Sequence, residues 1–192
     1  TAFWSFTTVD PSIDFVITVK TDNAGTSLDT EFTIPTFPGP YNYAVDCDDD
    51  GLNDASGQTG DYTCSYPSAG TYTIRIKGTF PRIYFNDNGD KEKLLSIEQW
   101  GDGAWTSMEK AFHGCSNLVV NATDTPDLSG VTDMSFMFHS ASALGAGNGN
   151  WNWNTSSVTD MGHLFDSASA FNQDIGVWDT SIVTDMYAMF YS

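Results

Sequence analysis

The residues best equipped for chemistry sit in one short run. Asp46, Asp48, Asp50 and Asp54 spell D-x-D-x-D-G-x-x-D, with Gly51 directly after the third carboxylate. Alternate carboxylates on a tight turn converge on one hard cation, and glycine permits the sharp reversal, which is how a calcium loop begins. The position that would carry the closing bidentate Glu of an EF-hand is Gly57, so the run is not an EF-hand. The expectation is a calcium ion on these four aspartates, with a solvated acidic turn as the alternative. Asn86, Asp87, Asn88 and Asp90 form a second polar cluster, which reads as a turn between domains.

The elements around these residues are of two kinds. Residues 13–20, 30–34, 41–46, 71–77 and 82–85 are β-branched and aromatic, mostly alternating, and separated by Gly, Pro, Asn and Asp, as strands of a small β-sandwich would be. After about residue 90 the chain repeats itself. Residues 126–144 (PDLSGVTDMSFMFHSASAL), 153–171 (WNTSSVTDMGHLFDSASAF) and 178–192 (WDTSIVTDMYAMFYS) align, with a degenerate earlier copy at 105–118 (WTSMEKAFHGCSNL). Met108, Met134, Met161 and Met186 are spaced 26, 27 and 25 residues apart, a period in the range of leucine-rich-repeat solenoids. A unit this short cannot bury its own apolar face and must stack on its neighbours.

Stacking turns repeat positions into columns. Met134, Met161 and Met186, then Val131, Val158 and Val183, then Phe112, Phe138, Phe165 and Phe190 form the shared core. Thr106, Thr132, Thr159 and Thr184 run beside Asp133, Asp160 and Asp185. Like charges in register repel, and each Asp can be compensated by bonding the first amides of a short helical turn. Trp153 and Trp178 also align and read as a structural edge, with a sugar platform as the alternative. His113 and His139 share a position next occupied by Asp166 and Tyr191. Such a column could in principle hold a metal, but polar residues exposed on a short helix explain it better. No Ser, His and acid trio has a local signature, and no Gly-rich phosphate loop occurs, so the chain is expected not to be an enzyme.

Composition narrows the partners. Seven Lys plus Arg against 25 Asp plus Glu give a net charge of −18, which repels nucleic acid and anionic membranes. No run of about 18 apolar residues could span a bilayer. The opening TAFWSF reads as a mature or trimmed start. Asn121 and Asn154 head N-x-S/T sequons, glycan acceptors in a eukaryotic setting.

Two resemblances follow from these residues. YAVDCDDDGLND followed by YPSAGTYTIRIKG resembles the paired signature of polycystic-kidney-disease (PKD) type immunoglobulin-like domains, in which a V-D-W-G-D-G turn precedes a Y-x-x-x-G-x-Y-x-V strand. FNQDIGVWDTSIVTDMYAMF, residues 171–190, resembles the unit of BspA-like leucine-rich-repeat surface proteins, a Mycoplasma-lipoprotein-type repeat. The second resemblance implies adhesion and protein binding at a cell surface. Against the PKD pattern, Cys47 stands where an aromatic is expected and Cys64 lies near the start of the partner strand. The paired departure implies a disulfide across a hairpin and an oxidising compartment; the alternative is three reduced cysteines, Cys115 among them.

The resulting expectation is an α+β chain. A PKD/Ig-like β-sandwich at 1–88 precedes a leucine-rich-repeat-like solenoid of short strands and short helices at 89–192, whose last unit is incomplete. Its expected role is extracellular adhesion, with the repeats binding a protein or glycan. The alternatives are a self-assembling subunit of a filament or layer, joined head-to-tail through an assembly end at Met186, Met189 and Phe190, and more distantly an accessory domain of a glycan-active enzyme.

Overall fold

The protein is described by a computed structural model over residues 13–191; the opening TAFWSF and Ser192 lie outside the described residues. Eight strands form: β1 (Phe15–Lys20), β2 (Glu31–Ile34), β3 (Asn42–Asp46), β4 (Ala55–Gln58), β5 (Tyr62–Ser65), β6 (Thr71–Thr79), β7 (Leu94–Gln99) and β8 (Val119–Val120). Six of them make one sheet in the order β4-β3-β6-β1-β7-β8, and β2 pairs with β5 in a second. The alternation in the sequence sets the register: Ile17 faces Ile74 of β6 on one side and Ile97 of β7 on the other. All three are buried, because side chains directly opposite one another point to the same face of a sheet.

The anticipated fold class is not what the chain forms. The described residues are nearly all β or turn, with 3-10 helices of only three residues at Lys91–Lys93 and Leu144–Ala146. Among the described residues there is no solenoid of strands and helices. Apolar residues spaced 3 and 4 apart, such as Met134, Met137, Phe138 and Ala141, imitate a helical stripe. In the structure each pair is instead closed by its own turn: Met137 N donates to Met134 O and Ala141 N to Phe138 O. The third residue of each turn is left-handed, Phe136 at φ 57° and Ser140 at φ 61°, and Lys110, Gly114, His163, Ser167 and Ala188 repeat the pattern. A positive φ at that position defines a type II turn and ends any helix.

The turns stack through hydrogen bonds at alternate residues. Met108 N donates to Asp133 O, Lys110 N to Ser135 O, Phe112 N to Met137 O and Gly114 N to His139 O, and the next units repeat this. The phenylalanine column stacks ring on ring, at 5.6 Å for Phe112 and Phe138, 5.9 Å for Phe138 and Phe165, and 5.5 Å for Phe165 and Phe190.

The stack is fused to the large sheet. β7 and β8 pair in parallel, Ser96 with Val119 and Ile97 with Val120, so the sheet continues past residue 88. Trp100, fully buried, touches Phe15 of β1, Phe112 of the first unit and Trp153 of a later one. The run 82–85 follows Pro81, which has no amide to donate, and it forms no strand. Its continuation bonds the first repeat turn, with Phe85 N donating to Ala111 O, Asn86 N to Lys110 O and Asp87 N to His113 O.

One buried ion pair ties these parts together. Asp90 and Lys93 are both inaccessible, with Oδ1 and Nζ 3.9 Å apart. Asp90 accepts hydrogen bonds from the amides of Thr26, Ser27 and Thr33 and from Ser27 Oγ. Lys93 Nζ donates to the carbonyls of Ser27, Leu28 and Glu31. Burial alone would raise the Asp90 pKa, but the bonds from Ser27 and Thr33 and the nearby ammonium outweigh it and hold it below the usual range. Gly25 is needed beside the pair, since a Cβ there would lie 2.5 Å from Asp90 Oδ1 and 2.6 Å from Lys93 Cε.

Asp90→Ala, which strands a buried ammonium, should lower the unfolding free energy by about 3–5 kcal/mol in denaturant melts. The lowered Asp90 pKa contributes stability that is present above the unfolded value of 3.8 and lost as the pH falls through the lower folded value. The acid limb of the wild-type melting curve should therefore be steeper than that of the variant.

Candidate functional site

The acidic run forms the β3 to β4 turn, and its aspartates have divided roles. Asp46 is buried; its carboxylate accepts from the amides of Asp50 and Gly51 and lies 3.7 Å from Lys77 Nζ. Asp48 and Asp50 are exposed and bring ligand atoms within 4.8 Å of one another and of Asp46. Asp54 is turned away to accept from Cys47 N at 2.7 Å. Three of the four expected ligands thus converge. Calcium takes six to eight oxygens, so an ion here would draw the rest from water or backbone.

The turn is braced by a disulfide between Cys47 and Cys64, with Cα atoms 5.8 Å apart. It does not span a hairpin: Cys47 follows β3 of the large sheet and Cys64 lies in β5 of the small one, so the bond joins the two sheets. Closing that loop contributes about 3 kcal/mol. Cys115 is a buried free thiol, and burial pushes its pKa well up, leaving it unreactive.

On the repeat stack, side chains at the turn tips form a ridge, half-buried at His113, Phe136, His139 and His163 and exposed at Tyr187. The Phe136 ring stacks on His163 at 4.4 Å, His113 meets His139 edge-on at 4.5 Å, and Tyr187 meets His163 at 5.3 Å. Asp166 Oδ2 lies 2.8 Å from His163 Nδ1 and 3.5 Å from His139 Nε2. The sequence aligned His113, His139 and Asp166 but left out His163, which belongs to another repeat position. The signal was its place three residues before Asp166, the two turn tips being adjacent. Among the described residues, only Asp46, Asp48 and Asp50 bring three such ligand atoms close enough to share an ion, so the ridge is not arranged as a metal centre. Burial, then repulsion from His139, lowers the His113 pKa. Burial works to raise that of Asp166, but hydrogen bonds from His163 and Ser167 prevail and lower it.

The other aligned columns are structural. Asp133, Asp160 and Asp185 lie in register, and each accepts from the amide two residues on, at Ser135, Gly162 and Tyr187. The Thr159 and Thr184 hydroxyls donate to Thr132 O and Thr159 O. Trp153 and Trp178 are buried and stacked at 5.6 Å, which leaves no open platform. Asn121 is exposed with Nδ2 bonded to Glu98, and Asn154 is exposed with Oδ1 bonded to Ser156 N. At the last unit Met186 and Phe190 are exposed, whereas Met189 is buried.

Residues 106–192 match the family described as "Mycoplasma protein of unknown function, DUF285". Neither a curated protein nor a solved structure matches the chain. The match covers all the stacked turns from Thr106 onward and leaves the eight-stranded part largely outside it, β8 excepted.

Two measurements probe these sites. Calcium should raise the melting temperature more than magnesium or matched ionic strength does, through binding to the native state alone, and Asp48→Asn should remove the difference; equal shifts would identify a solvated turn. His113 holds its proton less tightly folded than unfolded. Its stabilising contribution is therefore present above the unfolded value of 6.5 and lost as the pH falls through it towards the lower folded value. Melts at stepped pH should show that loss, and His113→Gln should flatten it.

Proposed function

We propose that the chain is a binding module of an extracellular surface protein, with the repeat stack as a rigid scaffold and its turn tips as the contact face. The observation that carries this is the contrast between columns. Two buried columns keep their residue type from unit to unit, Met108, Met134 and Met161 and Phe112, Phe138 and Phe165, and a third stays apolar as Ala111, Met137 and Leu164. The turn-tip positions vary, reading Lys110, Phe136 and His163 at one, all half-buried, and His113, His139 and Asp166 at the other, where Asp166 is buried against His139 and His163. Varied, partly aromatic side chains on an invariant scaffold suit recognition of a protein or glycan.

The disulfide supports an oxidising, extracellular setting, and the net charge of −18 disfavours nucleic acid as the partner. The run FNQDIGVWDTSIVTDMYAMF supports kinship with BspA-like surface proteins, and YAVDCDDDGLND supports a PKD-like module before it. A calcium ion on Asp46, Asp48 and Asp50 would be accessory, holding the turn between β3 and β4. Head-to-tail self-association through the last unit is the weaker reading. Of the first-unit carbonyls that would receive it, those of Ala111 and His113 are already bonded by the amides of Phe85 and Asp87, and that of Glu109 by Arg82, all of the same chain.

Binding of the labelled protein to arrays of purified glycans and surface-protein ectodomains should give ligands whose signal Phe136→Ser and Tyr187→Ser reduce at least about tenfold, the scale of an aromatic anchor at an interface. If every hit is kept by both variants, the ridge is not the contact face.

A further inference from the structure

A second recessed surface adjoins the first-unit end of the ridge, where Asn86 N donates to Lys110 O and Asp87 N to His113 O. Between the small sheet and the turn at 84–90 is a concavity of about 380 Å³, bounded by Thr26, Thr36, Asp61, Tyr84, Asn86 and Asn88. A shallower hollow of about 260 Å³ continues from it across Thr26, Asn88 and Gly89. The floor is rigid, because the buried Asp90 carboxylate holds the amides of Thr26 and Thr33. One wall is set by Asp61, whose Oδ1 accepts from both the amide and the hydroxyl of Thr36. The opposite wall is set by Asn86 and Asp87, consecutive left-handed residues at φ 47° and 59° whose amides are bonded to the first repeat turn.

What this surface offers is an array of unspent polar atoms. Among the described residues, the Asn86 side-chain amide, the Asn88 Nδ2 group, Asp61 Oδ2 and the Thr26 hydroxyl make no hydrogen bond to the protein. Donors and acceptors thus both line the groove, beside the half-buried Tyr84 ring. That chemistry matches a ligand carrying many hydroxyls, each of which both donates and accepts. It disfavours an anion: the open charge in the first hollow is the Asp61 carboxylate, and in the second Lys91 is already paired with Asp87. Two joined hollows also exceed what one sugar ring fills.

We propose that this groove binds a neutral oligosaccharide of at least two sugar units. The groove's lining residues are not those of the turn-tip ridge, and the site does not depend on the ridge being a contact face. The test is a titration of isotopically labelled protein, followed by amide chemical shifts, with glucose, maltose, cellobiose, lactose, di-N-acetylchitobiose and a digalacturonate. Saturable shifts should be confined to Thr26, Asn86, Asn88 and Gly89, and at least one neutral disaccharide should bind more tightly than glucose and digalacturonate. Asn86→Gly, which keeps the left-handed backbone, should weaken binding about fivefold, the worth of one neutral hydrogen bond. Thr26→Trp, which fills the junction of the two hollows, should abolish it. Both should leave the melting temperature and the ridge ligands unchanged. The proposal is overturned if no neutral disaccharide shifts these amides at concentrations up to about 10 mM, well above a millimolar Kd, if digalacturonate binds best, or if Thr26→Trp binds as the wild type does.

Discussion

The rest of the structure depends on the buried pair of Asp90 and Lys93. Each group is stable away from water only because the other, and a shell of backbone partners, replaces its hydration. Most of the backbone partners come from the long connection between β1 and β2, which has little apolar surface of its own to hold it down, and the rest from β2. The pair therefore does for this loop what a core would do, and it launches β7 from the same spot. Because β7 is the strand that receives β8, the position of the repeat stack on the sheet follows from the same anchor. Thr26 and Thr33, which line the groove, owe their positions to it as well.

The repeat stack follows a second constraint, that a chain reversing direction every few residues cannot be a helix. Each of the first three units contains two successive turns with a left-handed third residue, the last unit has one among the described residues, and at most of these positions that residue is not glycine. A non-glycine residue there costs about 1 kcal/mol or more. The cost is offset because the same geometry sends alternate amides to the carbonyls of the next unit and brings the phenylalanines face to face. It also projects the residues at the turn tips outward, which is why the most varied side chains of the repeat lie together on one ridge.

Much of the site chemistry was legible in the residues themselves. Asp46, Asp48 and Asp50 converge as their alternation on a turn implies, and Cys47 bonds Cys64. Asp54 departs from the pattern because its carboxylate accepts from the Cys47 amide, a matter of local backbone path. His163 was missed because its neighbour in space comes from a different repeat position. Asp90 was passed over as one more polar turn residue, since nothing in the sequence announces that Lys93 will be buried beside it.

The sequence by itself determined the period of the repeats, the identity of the core columns, four of the five alternating runs that form strands, and the surplus of negative charge. Those properties are local or additive, and a side chain carries them wherever it goes. The tertiary structure decided whether apolar residues at spacings of 3 and 4 would lie on a helix or on paired turns, because only contact with the next unit repays the left-handed residues. It also decided that the disulfide would join two sheets, that β7 and β8 would extend the first sheet into the repeats, and that the turn beside Asp90 would become one wall of a groove. These outcomes depend on which distant surfaces meet, and that is settled only when the whole chain packs.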